Sequence, residues 1–225
     1  KDFWSIKGPV LDILQAIYFK FFGISWFSYA AHSSSFNSIF ALSTYFTLRQ
    51  FNLDHKYCFI YSTLASILMY PTYGIPFTDH HVAIFSMLSV YCLCLAIVKK
   101  KNIYWFFIPI FLILGFFTKQ TPAAYFGILI SIVTLLYLIS HFKKEIVITI
   151  CLSVLLLTII IFGLITLFEI PYKSILIQYF LFPMSLGETR LDWLLPFEFQ
   201  RFVFRHKLIY YRFINSNFFI NYKSI

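Results

Sequence analysis

The sequence predicts an all-α integral membrane protein, a polytopic helical bundle of about six spans, and three observations carry that expectation. Hydrophobic residues make up 60% of the chain and charged residues 12%, about half the charged share of a soluble domain. The apolar residues gather in runs that reach or approach the ~20 residues needed to cross a bilayer as a helix. The basic residues between those runs fall in alternate loops, the pattern that a consistent membrane topology requires.

The elements follow in order along the chain. Residues 1–9 read as an outer loop. After it Leu11, Leu14, Ile17, Tyr18, Phe21 and Phe22 recur at helical spacing with Asp12, Gln15 and Lys20 between them, which predicts an amphipathic helix lying in the interface. Pro9 suits its first turn, where a missing N–H costs nothing, and Gly23 breaks it. Six spans are then expected at residues 35–48, extended back through 26–31, and at 57–70, 82–98, 103–117, 122–139 and 146–168. Residues 1–170 form the transmembrane core on this reading, and residues 171–225 an outer-face interfacial segment. In that segment Tyr179, Phe180, Phe182, Trp193, Phe197 and Phe199 mix with Glu188, Arg190, Asp192, Glu198 and Arg201. Such a surface suits part of an acceptor or lipid cleft; downstream, Arg201, Arg205, Lys207 and Arg212 alternate with Phe, Tyr and Ile, a stretch suited to an interfacial anchor, to lipid head groups or to a return to the cytoplasmic side.

Orientation follows from the cations. Arg49 and Lys56, then Lys99, Lys100 and Lys101, then Lys143 and Lys144 occupy the loops expected on the cytoplasmic side. The net charge of +9 is largely this topological signal, so no nucleic-acid partner is expected. The first residue is Lys1, and no signal-peptide pattern precedes the first run. The chain therefore reads as a fragment truncated at the N-terminus and also at the C-terminus. Cys58, Cys92, Cys94 and Cys151 fall within predicted spans, where thiols act as small apolar side chains. They imply neither a disulfide framework nor a metal site.

Two polar clusters stand out at span ends expected to face away from the cytoplasm: Thr78-Asp79-His80-His81 and Thr118-Lys119-Gln120-Thr121. Ionisable groups at a membrane boundary are costly to desolvate and persist where they meet a substrate, a counter-charge or water. Asp79 can act as a base or orient a nucleophile; it can equally cap the helix that follows it. Histidine ordinarily titrates near neutrality, so His80 and His81 can meet a phosphate or a metal, or serve only as interfacial polar groups. Lys119 is a point charge suited to a phosphate, although snorkelling is its alternative role.

The chain resembles a known family in the order of its motifs. Asp2-Phe3-Trp4 and Gly8-Pro9 lead into Phe19-Lys20-Phe21-Phe22-Gly23, then His32-Ser33-Ser34-Ser35-Phe36-Asn37, Pro76-Phe77-Thr78-Asp79 and Gly115-Phe116-Phe117-Thr118-Lys119-Gln120-Thr121. This combination, over residues 1–170, is similar to the membrane-embedded GT-C glycosyltransferases of the protein-mannosyltransferase/aminoarabinose-transferase-like superfamily. No single motif is diagnostic. The resemblance implies an inverting transferase that moves a sugar from a polyprenyl-phosphate donor to a glycan, lipid or protein acceptor on the non-cytoplasmic face, without cofactor or metal. By position Asp2 falls in the outer loop that supplies the catalytic base, although the family's principal Asp follows a first span that this chain lacks. Asp79 matches a second acidic position. Lys119 matches the cation facing the donor phosphate, with Gln120, His80 and His81 beside it.

The implied location is a bacterial inner membrane, with the site on its outer face. A transporter would place broken helices near the midplane and repeat itself in two halves; no internal repeat is visible. A lipid-linked polysaccharide polymerase or ligase is closer in chemistry and differs by a large Arg-rich outer loop.

Overall fold

The computed structural model describes residues 8–71 and 73–185. Among these the fold is entirely helical: α1 (Pro9–Phe22), α2 (Trp26–Gln50), α3 (His55–Met69), α4 (Thr78–Lys99), α5 (Asn102–Phe116), α6 (Gln120–Ser140), α7 (Lys144–Leu167) and the short α8 (Tyr172–Leu176), which continues into a π-helical turn, Ile177–Leu181. Three of them, α4, α6 and α7, are long and apolar enough to cross a membrane, and α5 is a shorter apolar helix. The chain divides into two compact units, Lys1–Tyr179 and Phe180–Ile225. Asp2 and most of the tail after Tyr179 lie outside the described residues.

Local chemistry sets the helix ends. Pro9 opens α1, and Gly23 closes it at φ +74°, donating its N–H to the Phe19 carbonyl; that backbone region disfavours a residue with a Cβ. Ser25 and Ser28 cap α2 reciprocally, so the helix starts at Trp26 and takes in the serine-rich stretch as one continuous 25-residue element. Asp54 caps α3 by accepting the Lys56 N–H at 3.0 Å. At α4 the capping residue is Phe77, which provides no side-chain cap bond. Asp79 sits inside the first turn, so it does not cap the helix, and its carboxylate is left for another partner.

The packing is centred on α4, which contacts α2, α5 and α6. Its C-terminal half enters an apolar cluster of Leu93, Ala96, Trp105, Ile108, Ile130 and Ile146. A second cluster, Phe40, Ile84, Phe85 and Leu88, takes in Val10 and Leu14 of α1. Pro109 lies inside α5, where it removes one helical donor, and nearby Ser153 of α7 donates to the Phe106 carbonyl at 2.7 Å. Helix α1 inverts the polarity expected of a soluble amphipathic helix. Gln15 is buried, whereas Ile13, Ile17 and Phe21 are exposed, an arrangement suited to a helix whose outer side meets lipid.

Candidate functional site

The two polar clusters meet. The turn between α5 and α6 is closed by the Thr118 and Lys119 N–H groups, both donating to the Gly115 carbonyl, at 3.0 and 2.9 Å. That closure places Lys119 at the start of α6 beside the first turn of α4, where its Nζ donates to Asp79 Oδ1 as an ion pair. Both side chains remain accessible, Asp79 at 68% and Lys119 at 39%. An exposed pair of this kind contributes little stability, about 0–1 kcal/mol. What it does contribute is location, because residues 40 apart in sequence present an anion and a cation at one exposed point between the starts of α4 and α6, which we call the mouth.

Helix α1 reaches the same mouth by its backbone. Gly8 N–H donates to the Thr118 carbonyl at 3.3 Å and Val10 N–H to the Phe117 carbonyl at 3.2 Å. Gly8 is buried, and a Cβ built on it would overlap the Phe117 carbonyl group. Glycine is therefore required for this approach, and it fixes the start of α1 against the turn that carries Lys119. The ring of Tyr179, in the π-helical turn, meets Phe117 with centroids 5.7 Å apart. Burial, with the Asp12 carboxylate as a lesser cause, raises the Tyr179 hydroxyl above its ordinary value, so the phenol stays neutral.

The other residues singled out in the sequence lie deeper. Thr118 is fully buried and its hydroxyl bonds back to the Leu114 carbonyl at 2.8 Å. Gln120 is buried at the first position of α6 with its Nε2 unpartnered. His80 is buried with neither ring nitrogen partnered. His81 is also fully buried, and both its nitrogens are engaged: Nδ1 with the Phe77 carbonyl at 3.1 Å and Nε2 with His32 Nε2 at 3.1 Å. In this arrangement His81 joins helices and is not open to a phosphate, because desolvation removes the access that such a ligand needs. No three His, Cys, Asp or Glu side chains among the described residues are arranged to hold a metal ion.

Sequence reasoning did not identify His32 or Gln15 as partners in this region. His32 Nδ1 lies 2.8 Å from Gln15 Oε1, and the Tyr18 ring stacks on His32 at 4.6 Å. Gln15 and Tyr18 lie one turn apart on α1, and that spacing is the only trace of this contact in the sequence. The link to His81 spans 49 residues and leaves no local pattern. No family model, curated protein or solved structure matches the chain.

Proposed function

We propose that the chain is the membrane-embedded core of an inverting glycosyltransferase, with helices α2–α7 as six spans and the Asp79–Lys119 mouth as its donor site. The observation that carries this reading is the convergence of one accessible carboxylate and one accessible cation at the ends of α4 and α6. In this topology that end lies on the opposite side from Lys99, Lys100, Lys101, Lys143 and Lys144, and the positive-inside rule puts those lysines in the cytoplasm. The site then faces outward, from a bacterial inner membrane in the setting we favour. The exposed Ile13, Ile17 and Phe21 of α1 lie against lipid on this reading.

The chemistry needs few groups. An acceptor oxygen forms a bond to the sugar's anomeric carbon from the face opposite the bond to the polyprenyl phosphate, which breaks as the phosphate leaves with the electron pair. The acceptor proton passes to a carboxylate, a role assigned to Asp2 in the outer loop. Negative charge grows on the leaving phosphate, and a cation fixed in place stabilises it without reorganisation. Lys119 supplies that cation. Asp79 holds the ammonium in position and leaves its other N–H donors for the phosphate. Acceptor and donor are thus a glycan, lipid or protein hydroxyl and a lipid-linked sugar, and the chemistry requires no cofactor.

The test is transfer of radiolabelled sugar from polyprenyl-phosphate donors in membranes. Lys119→Ala and Asp79→Asn are each expected to lower transfer about 100-fold or more at matched membrane insertion. Undiminished transfer in both variants would remove the site assignment, and no transfer by the unsubstituted protein with any donor in a broad panel would remove the function.

A further inference from the structure

Beneath the mouth, four groups from three helices form one chain of contacts: Gln15 on α1, His32 on α2, His81 on α4, and the Phe77 carbonyl at the start of α4. A carbonyl oxygen only accepts, so His81 Nδ1 carries a hydrogen. In a neutral ring His81 Nε2 is then a lone pair, and the His32 Nε2 facing it at 3.1 Å must donate. His32 Nδ1 is in turn a lone pair. It faces Gln15 Oε1 at 2.8 Å, a contact between two acceptors, while Gln15 Nε2 is buried with no partner.

A single half-turn of the Gln15 amide removes the acceptor–acceptor contact and partners the donor, leaving Oε1 in the position without a partner. The oxygen and nitrogen of a carboxamide have nearly the same shape, and their assignment follows from the hydrogen-bond network. With the amide turned, Nε2–H donates to His32 Nδ1, and the buried donor gains the partner that burial demands. The alternative keeps Oε1 in place and adds a proton, which makes one ring a cation. That charge would sit among Tyr18, Phe36 and His80, with no carboxylate in contact with either ring among the described residues. It would also face the positive end of α4, and an unpaired buried charge is costly.

We infer that Gln15, His32 and His81 form a neutral, one-directional relay, Gln15 to His32 to His81 to the Phe77 carbonyl, that positions the turn carrying Asp79. His32 is the Nε2–H tautomer and His81 the Nδ1–H tautomer. Asp79 lies between Phe77 and His81, the two points at which the relay grips α4, and the far end of the relay is the helix that docks at Phe117 and Thr118. The three side chains are positioning residues that act through Asp79. Their consequence for sugar transfer rests on the function proposed above; the relay itself does not.

The experiment uses the full chain in lipid nanodiscs with ¹⁵N-labelled histidine and no substrate, the two rings being assigned from His32→Phe and His81→Phe. The expected result is two neutral rings of opposite tautomer at pH 7.5. A doubly protonated ring in the unsubstituted protein, or the same tautomer in both rings, would overturn the relay. Thermal unfolding supplies a second reading. Gln15→Met removes the required donor at similar volume and is expected to lower the midpoint by about 2–4 °C; an unchanged or raised midpoint would show that the amide makes no bond in the relay and overturn the proposal. Neither reading depends on transferase activity, so the absence of transfer would reject the function and leave the relay standing.

Discussion

The two ends of α4 are built from different materials. Its first turn buries Thr78, His80 and His81 and holds Asp79 at the surface. Its last turns bury Leu93, Leu95 and Ala96 and meet Trp105, Ile108, Ile130 and Ile146. Buried polar groups demand partners of fixed direction, whereas buried apolar groups ask only for volume. The polar end therefore specifies where α1, α2 and α6 sit relative to one another, and the apolar end holds α4–α7 together with no demand for direction. A site that must keep a carboxylate and an ammonium in register belongs at the first kind of end.

That contrast can be broken at either end. Trp105 is almost completely buried, and Trp105→Ala leaves a cavity expected to cost about 3 kcal/mol of stability, as such truncations do in packed cores. Transfer per folded molecule is expected to stay unchanged. Denaturation in detergent, read beside specific activity, checks both halves of that statement. A proportionate loss of specific activity would mean that the apolar end also positions the site.

Gly8→Ala tests the opposite end with a smaller expected effect on stability. The added methyl meets the Phe117 carbonyl group and pushes the start of α1 off the turn that carries Lys119. Displacements of about 1 Å at a reacting geometry can cost up to 100-fold, so transfer is expected to fall on the order of tenfold or more while membrane insertion holds. Activity equal to that of the unsubstituted protein would show that the docking of α1 does not matter to the mouth.

Much of the helical layout is legible in the sequence because long apolar runs are strong signals. The residues expected in an interfacial helix and in six spans are helical, as α1 and α2–α7, with ends displaced by a few residues, and of these α4, α6 and α7 are long and apolar enough to cross a membrane. The largest displacement is at α4, expected from residue 82 but beginning at Thr78, because Thr78, Asp79, His80 and His81 lower the local hydropathy while the backbone already keeps to a helix. The helix-cap role weighed for Asp79 gave way because Phe77 already occupies the capping position.

At the site, the pairing of Asp79 with Lys119 is accessible from span counting, since the count places both at the starts of helices expected to begin on the same side. The burial of His80, His81 and Gln120 was not, because their neighbours come from other helices. The hydropathy spacing puts Gln15 on a polar face, whereas the structure turns it inward to His32. In lipid the outer face of a helix is apolar, so polar side chains point inward more often than hydropathy spacing implies.

The measurement that bears most directly on the central claim is the charge exchange Asp79→Lys with Lys119→Asp, assayed for membrane insertion, thermal stability and sugar transfer against each single variant. The account predicts that the exchanged pair restores the insertion and stability that either single reversal loses, while transfer remains at least 100-fold down, because the cation then stands at the wrong position for the donor phosphate. Recovery of transfer to the level of the unsubstituted protein would contradict the account, since it would reduce the pair to a structural contact between α4 and α6.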